Sequence, residues 1–379
     1  MHVLIAPDGF KDCMSAREVA TALEKGLKRI LPDASVTVFP MADGGEGTVE
    51  AVIGATRGRI IRKTVKDPLM RDVTARYGIS GDGETAVIEM ASASGLELLS
   101  VVDRNPWITS TYGTGQLIAD ALDRGCRKVL MGIGGSATND AGTGMAQALG
   151  VGFTGPGGPM EVTGGGSIGD IRGILMDGLD ERIPHTDIRV ACDVSNPLTG
   201  KEGASRVYGP QKGAGPEMVE RLDRHLEHLA GLIKKQLGID IGEVPGSGAA
   251  GGLGGGLMAF LGARLMNGFG MIAEAAGLEG EILKADLVIT GEGKLDLQTA
   301  FGKTPFGVAQ LAARYGKRVI GVAGTLEEGA DKLYGKGFDL ILPVIEKPVS
   351  LEESIRHAGL WLTRTGERIG RIIQLQVGD

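Results

Sequence analysis

Short apolar runs alternate with amphipathic helical patterns at both ends of the chain. The run from Val3 to Ala6 predicts a buried strand, and a capping box at Ser15 and Glu18 predicts the start of a helix after it. A second strand is predicted from Ser35 to Phe39. The later part of the chain predicts three more strands, which are Leu287 to Thr290, Val319 to Ala323 and Leu340 to Val344. Because strands and helices alternate, these five strands are predicted to form one doubly wound parallel sheet built from both chain ends.

The pattern changes near Gly58, where strand-like runs follow one another without a helix between them. The three runs are Ile60 to Val65, Val73 to Ile79 and Thr85 to Met90. Gly81-Asp82-Gly83 predicts a hairpin that joins the last two as antiparallel neighbours. A further strand is predicted from Ile188 to Cys192. Adjacent antiparallel strands indicate a different sheet, and therefore a second domain.

Three more segments of the central region have recognisable patterns. Gly155 to Gly169 contains glycines and prolines without periodicity, which predicts a surface loop. Pro216 to Leu237 predicts a helix that begins with proline and ends before a glycine, and Leu257 to Leu265 predicts a compact apolar helix. We therefore predict an α/β protein with two domains and a cleft between them. The first domain comprises residues 1–59 and 283–379, and the second is an inserted segment, residues 60–282.

Glycine is the component of the composition that stands out. The chain has 64 glycines among its 379 residues, whereas glycine usually makes up about 7% of the residues of a protein. They cluster between apolar runs without a fixed period, which indicates many turns built by the backbone. The net charge is −7, and no basic stripe is present to neutralise phosphates. We therefore predict no nucleic-acid partner.

Cysteine usage and hydropathy favour a cytoplasmic protein. Cys13, Cys126 and Cys192 lie far apart and form no C-x-x-C pair, so no zinc or redox motif is present. The chain enters an apolar strand directly, without a signal peptide, and no uncharged run reaches membrane-spanning length. We expect a cytoplasmic protein with no membrane partner, and the sequence does not indicate its oligomeric state.

The segment from Lys128 to Gly150 combines a strand, a glycine turn and the start of a helix. Gly134 and Gly135 predict a tight turn, and small polar residues follow them, namely Ser136, Thr138, Asn139 and Asp140. Such a turn presents backbone N–H groups to an anion, which predicts a phosphate-binding loop. A tight turn with a polar N-cap explains the same residues, and the sequence leaves both interpretations open.

Three glycine patterns resemble nucleotide-binding motifs without their full context. Residues Gly132 to Ala137 fit one form of the dinucleotide motif, and Gly246 to Gly251, which include Gly248, fit another. That motif needs a second strand ending in an acidic residue about 20 residues on, and neither segment has one. Gly302-Lys303-Thr304 resembles only the end of a Walker A motif, because Leu297 stands where the first glycine belongs.

Acidic side chains follow the predicted strands of the outer sheet. They and their basic neighbours are Asp8 with Lys11, Asp43 with Glu46, and Glu292 with Lys294 and Asp296. In the inserted domain, Asp193 and Asn196 follow the strand that ends at Cys192. Ligands of an open parallel sheet bind at the carboxyl ends of its strands. Carboxylates in that position suit a magnesium ion bridged to phosphates.

Each of these groups also has a structural interpretation. Asp8 and Asp43 can cap the helices that follow them. Asp193 can form an Asx-turn, and Glu292 and Asp296 can lie in a solvated loop. Their shared position at strand ends favours a functional site.

Six motifs along the chain resemble those of the bacterial glycerate kinase family. They are APDGFK from Ala6, ADGGEGT from Ala42, GGSATND from Gly134, CDVSNPL from Cys192, GPQKGA from Gly209 and GEGKLD from Gly291. The motifs cover nearly the whole chain in this order. The resemblance implies ATP-dependent phosphorylation of D-glycerate, usually to 2-phospho-D-glycerate, with Mg²⁺. It also implies a flavodoxin-like domain made by both chain ends, and a central α/β domain of restriction-enzyme-like fold with a mixed sheet.

The chain departs from the family pattern at three positions. Gly9 stands where the family commonly has serine, Lys294 replaces a usual arginine, and Leu297 replaces a usual serine. The change at Lys294 removes the bidentate fork of a guanidinium group. All three positions lie beside candidate site residues, so they bear on affinity or substrate choice.

The mechanism that we hypothesise is direct in-line phosphoryl transfer in the interdomain cleft, and four residues have roles in it. Asp193 is interpreted as the base that accepts the substrate hydroxyl proton, and Lys11 as a group that stabilises the transferring phosphoryl. Asp43 and Asp296 are interpreted as magnesium ligands, with Asp296 also a catalytic candidate.

Further residues are predicted to bind the two substrates. The nucleotide-binding candidates are Gly134, Gly135, Ser136, Asn139, Asp140, Gly248, Gly251 and Glu292. The glycerate-binding candidates are Asp8, Arg71, Asn196 and Lys212, with Lys212 or Arg71 expected on the carboxylate. The alternatives are a kinase of another small hydroxy acid, a non-catalytic nucleotide-binding regulator and a dehydrogenase.

Overall fold

The computed structural model describes residues 1–296 and 303–376, with Gln376 described without its side chain. Its strands are β1 (His2–Ile5), β2 (Ser35–Val38), β3 (Arg59–Lys66), β4 (Asp72–Ile79), β5 (Thr85–Glu89), β6 (Lys128–Gly132), β7 (Gly152–Gly155), β8 (Gly158–Met160), β9 (Gly173–Leu175), β10 (Asp187–Ala191), β11 (Arg264–Met266), β12 (Leu287–Leu295), β13 (Arg318–Leu326) and β14 (Leu340–Pro343). Its helices are α1 (Ala16–Ile30), α2 (Thr48–Thr56), α3 (Ala91–Ser94), α4 (Tyr112–Asp123), α5 (Thr143–Ala148), α6 (Ala204–Tyr208), α7 (Pro216–Leu237), α8 (Leu253–Leu261), α9 (Gly268–Ala276), α10 (Leu278–Lys284), α11 (Thr304–Arg314) and α12 (Leu351–Gln376). None of these helices, within the described ranges, is long and apolar enough to cross a bilayer.

The chain divides into two compact units. The outer unit comprises Met1–Asp43 with Phe269–Asp379, and the inserted unit comprises Gly44–Gly268. Both boundaries lie earlier in the chain than the predicted ones at 59/60 and 282/283. The first differs because α2 packs against β4 and β5 of the inserted unit, and the second because α10 packs against β1 and α11 of the outer unit. The predicted cleft stays a prediction.

The outer unit has a five-stranded parallel sheet in the order β14-β13-β12-β1-β2. This arrangement confirms the doubly wound, flavodoxin-like sheet predicted from both chain ends. The central strands are apolar where they pair with one another, because helices cover parallel sheets on both faces. Val3, Ile5, Ile289 and Val322 are almost completely buried in its core.

Helix α1 packs closely against α12 in the outer unit. The predicted capping box at its start is present: the backbone N–H of Ser15 donates to Oε2 of Glu18 at 2.8 Å. Further along α1, a Cβ atom added to Gly26 would lie 1.8 Å from the carbonyl oxygen of Thr363. Glycine is therefore needed there for the close approach of the two helix backbones.

The inserted unit has a six-stranded mixed sheet in the order β11-β10-β6-β5-β4-β3. The four strands from β11 to β5 run parallel, whereas β4 and β3 are antiparallel. The predicted hairpin between β4 and β5 and the predicted mixed sheet are both confirmed. Glu89 of β5 and Ala191 of β10 lie in register with Gly132 of β6, so the carboxyl ends of these strands are adjacent.

Two central segments differ from the prediction. The segment predicted as a loop contains β8 and the last residue of β7, and these two strands form a small antiparallel sheet with β9. These strands have three or four residues, too few for a periodic pattern. Helix α8 begins at Leu253 rather than Leu257, so it includes a run of glycines that disfavours helix on propensity alone. A Cβ atom on Gly256 would lie 2.0 Å from the carbonyl oxygen of Ala141, so tertiary packing overrides propensity here.

Candidate active site

The order of the outer sheet creates a switch point between β1 and β12. The chain runs from β1 to β2 on one side, and β12, β13 and β14 follow on the other side. In an open parallel sheet, ligands bind outside the carboxyl ends of the strands at such a point. Asp8 follows β1, and its backbone N–H donates to the carbonyl oxygen of Gly291 in β12 at 2.8 Å. Asp8 therefore lies at the switch point.

Several carboxyl groups converge on this switch point. The pKa of Asp8 is raised to about 7, chiefly by burial, then by the negative charge of Asp43, with a smaller contribution from Glu292. The Thr304 hydroxyl lowers it, as does the N–H of Gly9, which donates to Oδ1 of Asp8 at 2.7 Å. A cation placed among these carboxyl groups would relieve their mutual repulsion.

Strand β12 continues beyond β1 as a two-stranded ribbon with β13. Its pairing with β1 ends at Ile289, whereas its pairing with β13 runs on to Leu295. The strand is longer than predicted because β13 supplies the backbone pairing of its last residues, Glu292 to Leu295. Glu292, Lys294 and Asp296 follow at every second position, which places their side chains on one face of the ribbon.

Lysine side chains pair with the acidic residues of this ribbon. The Nζ atom of Lys294 lies 3.1 Å from Oδ2 of Asp296 and 3.2 Å from Oε2 of Glu327. Lys303 lies 3.4 Å from Oε2 of Glu292. The lysine that departs from the family pattern thus bridges two carboxylates as a point charge.

Lys11 and Gly9 occupy the segment that follows β1. Lys11 is exposed in the turn between Phe10 and Met14. A Cβ atom on Gly9 would lie 3.4 Å from the carbonyl oxygen of Met14, which is an ordinary contact. The backbone therefore has room for the serine that the family pattern has at this position. Leu297 lies outside the described residues.

In the inserted unit, the turn after β6 exposes two glycines. Gly134 and Gly135 are exposed, and within the described part of the chain neither amide donates a hydrogen bond. Gly135 has a φ of +71°, a conformation that favours glycine. Its carbonyl oxygen accepts from the N–H of Leu96 at 2.8 Å, which anchors the turn. The turn therefore offers N–H groups to an anion.

Asp140 is fully buried just before the short helix α5, whose N-cap residue is Gly142. Its carboxylate accepts the N–H groups of Gly142 and Gly144 at 3.2 and 3.3 Å, and both the N–H and the hydroxyl of Thr111 at 2.8 Å. Burial raises the pKa of Asp140, and these hydrogen bonds oppose that change. The carboxylate of Asp140 thus holds the turn and the start of α5 from inside, and the N-cap position itself is a glycine, not a polar residue.

Lys212 is buried against the same turn, with only 1% of the residue exposed. Its ammonium group donates to Oγ of Ser136 at 2.7 Å and to the carbonyl oxygen of Thr138 at 2.6 Å. Burial lowers the pKa of Lys212 to about 7, against the opposing effect of the Asp140 charge. This ammonium, predicted to bind the glycerate carboxylate, is directed at the turn instead.

The second glycine-rich segment is also an interior one. Gly248 and Gly251 are buried. A Cβ atom on Gly248 would lie 2.1 Å from the carbonyl oxygen of Pro197, and one on Gly251 would lie 1.9 Å from that of Thr138. These glycines permit close backbone packing, which accounts for them without a bound phosphate.

The two candidate asparagines both bond to neighbouring segments. Asn139 is fully buried, and its Nδ2 atom donates to Oγ of Ser205 at 3.0 Å. Asn196 donates through Nδ2 to the carbonyl oxygen of Glu202 at 2.7 Å and accepts the hydroxyl of Tyr208 at 2.7 Å. Asn139 therefore braces the turn, and Asn196 braces the segment after β10.

Asp193 is exposed just beyond the carboxyl end of β10. Its Oδ1 atom accepts Nδ2 of Asn267 at 2.7 Å and the N–H of Gly268, the first residue of α9, at 2.9 Å. A distant element thus sets the orientation of this carboxylate.

Arg71, predicted to bind the substrate carboxylate, has a carboxylate partner inside the unit. Its Nε atom donates to Oδ2 of Asp67 at 2.7 Å, and its backbone N–H donates to Oδ1 at 2.9 Å. Asp67 is buried, so this pair is part of the local fold.

Arg104 is a residue that the sequence analysis missed. It is half-buried, and its buried Nε atom has no acceptor among the described residues. A Cβ atom on Gly213 would lie 2.2 Å from the Arg104 carbonyl oxygen, so Arg104 adjoins the segment that carries Lys212. The segment around Arg104 has no periodicity or motif, and no sequence signal marks it.

The switch-point carboxylates fit a magnesium ion shared with phosphates. Among the described residues, no three His, Cys, Asp or Glu side chains form a complete cation site. Magnesium commonly takes only one or two carboxylates, and phosphate oxygens and water complete its shell. Asp43, beside Asp8 and Glu292, suits this arrangement. Asp296 suits it less directly, because Lys294 already pairs with it.

Comparison with known proteins connects both units to one family. The model of the glycerate kinase family matches residues 3–374. The chain is 50% identical to glycerate 2-kinase of Escherichia coli K12 over 94% of both chains, and 47% identical to glycerate kinase of Bacillus subtilis 168 over 99% of this chain and 98% of that one. A crystal structure from Salmonella typhimurium LT2, assigned as glycerate kinase 2, matches it with a TM-score of 0.90 and 47% identity over 99% of each chain. The chain therefore belongs to the glycerate kinase family of phosphotransferases.

Proposed function

We propose that this enzyme transfers the γ-phosphoryl group of ATP to the C2 hydroxyl of D-glycerate, giving 2-phospho-D-glycerate and ADP. The observation that carries the proposal is the 50% identity with a glycerate 2-kinase across 94% of both chains. The carboxylates at the outer switch point and the exposed glycine turn of the inserted unit support it, since phosphoryl transfer needs groups that hold a cation and phosphates.

In this proposal, the N–H groups of Gly134 and Gly135 bind phosphate oxygens. Backbone amides suit this role because they present dipoles of fixed direction to an anion. Helix α5 begins eight residues after Gly135 and is short, so the amides of the turn supply the contacts. Ser136 is buried behind the turn, and Gly251 supports the turn by packing against Thr138, whereas Gly248 packs against Pro197 in the segment after β10.

The proposed magnesium ligands are Asp43 and Asp296 of the outer unit. Glu292 is proposed to bind the nucleotide. When bound, the cation neutralises phosphate charge and stabilises the charge that develops during transfer. Asp296 would hold the cation in place of its ion pair with Lys294. Asp8 remains a candidate for the glycerate hydroxyls.

Side chains of this protein are proposed to accept the hydroxyl proton and to orient D-glycerate, the phosphoryl acceptor. The C2 oxygen of glycerate bonds to the γ-phosphorus as the bond from that phosphorus to the β–γ bridging oxygen breaks, and ADP leaves. The hydroxyl proton passes to the carboxylate of Asp193, whose Oδ1 atom accepts from Asn267 and Gly268. Lys11 faces the transferring group with its charge, and Asn196 lines the acceptor side.

Arg104 is the proposed receptor of the glycerate carboxylate. A guanidinium group binds a carboxylate through two parallel hydrogen bonds, and the buried Nε atom of Arg104 has no acceptor in the described chain. Arg104→Met is expected to raise the KM for D-glycerate by about 10- to 100-fold, the equivalent of one charged hydrogen-bonded contact. The KM for ATP should stay unchanged in steady-state assays.

Arg224→Met, which changes an exposed arginine of α7, serves as the matched control and should leave both constants unchanged. An unchanged KM for glycerate in Arg104→Met would remove this assignment. If Arg71→Met raised that constant instead, the original sequence prediction would replace it.

A coupled assay with phosphorus NMR of the product tests the proposed function. Wild-type enzyme with ATP and Mg²⁺ should consume ATP only when D-glycerate is added, and the product should carry phosphate at C2. A C3 product would keep the kinase and overturn the proposed regiochemistry. Turnover with another hydroxy acid, but not glycerate, would favour the first alternative, and ATP binding without any turnover would favour a regulator.

A further inference from the structure

Lys212 is the buried cation of the inserted unit whose surroundings the proposed reaction leaves unexplained. It ends a short 3₁₀ turn, Pro210–Lys212, and the next residue, Gly213, has a φ of +94°. Burial of an ammonium group is unfavourable unless hydrogen bonds replace those to water. The ammonium of Lys212 has two such bonds, to Oγ of Ser136 and to the carbonyl oxygen of Thr138.

Both acceptors belong to the turn that carries Gly134 and Gly135. The contacts span 76 and 74 positions of the chain, so a single side chain joins two distant segments. On its other side the turn is paired with Gly95, which forms an isolated bridge with Ser136. The turn is thus held from two directions, by backbone pairing and by the lysine.

The negative charge of Asp140, near Lys212, does not take the place of the two hydrogen bonds that the ammonium donates. Asp140 is the charged group that acts on the ammonium, and its carboxylate already accepts from Thr111, Gly142 and Gly144. The lysine pKa of about 7 means that the group is partly neutral near pH 7. A neutral amine still has two N–H donors, enough for both acceptors.

We infer that Lys212 is a positioning residue for the glycine turn: by holding Ser136 and Thr138 from inside, it sets the direction in which Gly134 and Gly135 present their amides to a phosphate. The inference rests on the proposed function, because it assumes that this turn holds a phosphate of ATP. Lys212 does not itself touch either substrate.

The variant Lys212→Met tests the inference, because it removes the donors and keeps an unbranched side chain of similar reach. The KM for ATP is expected to rise about tenfold or more, since a shift of the amides misplaces every phosphate contact, while the KM for D-glycerate stays within about twofold. A residue that only stabilised the fold would lower the amount of active enzyme and leave both constants unchanged. Lys235→Met, at an exposed lysine of α7, is the matched control.

A double variant tests whether Lys212 acts through Ser136. Ser136→Ala alone is expected to raise the KM for ATP by a smaller factor, and Lys212→Met with Ser136→Ala should be no worse than Lys212→Met. Additive effects would contradict the inference, as would a Lys212→Met enzyme with an unchanged KM for ATP or with both constants raised equally. If Lys212→Met does not fold, the smaller rise in the KM for ATP expected of Ser136→Ala tests the inference instead, and an unchanged constant would contradict it.

Calorimetric titration with ATP separates this inference from the proposed function. If the wild-type enzyme showed no glycerate-dependent turnover, the proposed function would fail. Weaker ATP binding by Lys212→Met than by the wild type would still support the positioning role. Equal binding by the two proteins would overturn it.

Discussion

Asp193→Asn is expected to lower kcat for glycerate phosphorylation by about 10²- to 10⁴-fold, the range for loss of a positioned general base. An amide has the shape of the carboxylate but does not take up the hydroxyl proton. Its oxygen can still accept from Asn267 and Gly268, so the segment after β10 should keep its place. The KM values should change by only a few-fold, and the melting temperature should stay close to that of the wild type.

Asp177→Asn, at an exposed aspartate of the same unit, is the control for the loss of one negative charge and should keep full turnover. Steady-state kinetics and a thermal melt on all three proteins make the comparison. Normal kcat in Asp193→Asn would exclude Asp193 as the base. Asp8, with its pKa of about 7, would then be the next carboxyl group to substitute.

Gly251→Ala is expected to lower the free energy of unfolding by about 2–5 kcal/mol, because strain and a clash act at one position. Gly251 has a φ of +71°, which is unfavourable for alanine, and its Cβ atom would lie 1.9 Å from the carbonyl oxygen of Thr138. Relief of the clash would displace Thr138, which accepts from Lys212. The KM for ATP should therefore rise as well.

Gly262→Ala separates the two causes. Gly262 has a similar φ of +65°, but nothing lies within 4 Å of its added Cβ atom. Urea unfolding should show only the strain, about 1–2 kcal/mol, for this variant, with an unchanged KM for ATP. Equal losses in the two variants would mean that the close approach to Thr138 contributes nothing.

The fold class could be predicted because the signals for it are local and repeated. Five apolar runs alternate with helical patterns at the chain ends, and three consecutive strand-like runs mark the mixed sheet of the inserted unit. The family motifs were equally visible, and the match over residues 3–374 confirms the family. The length of β12 was not predictable, since its last residues pair only with β13 and have no apolar pattern.

Only part of the candidate site could be predicted from the sequence. Sequence alone placed Asp8, Asp43 and Asp193 after their strands, because strand ends follow from hydrophobic periodicity. The type of a residue did not indicate whether its side chain is buried or already paired. Lys212 and Arg71 carry the charge that a carboxylate needs, yet Lys212 lies inside the inserted unit and Arg71 bonds to Asp67.

Residue types and their spacing along the chain were enough to predict the two larger sheets, the family and the polar residues that follow the strands. Which polar groups are buried follows only from the packing of the whole chain. Lys212 meets Ser136 across 76 positions, and Gly251 meets Thr138 through backbone atoms that any sequence would have. Such contacts depend on how distant segments pack, so no local pattern in the sequence predicts them.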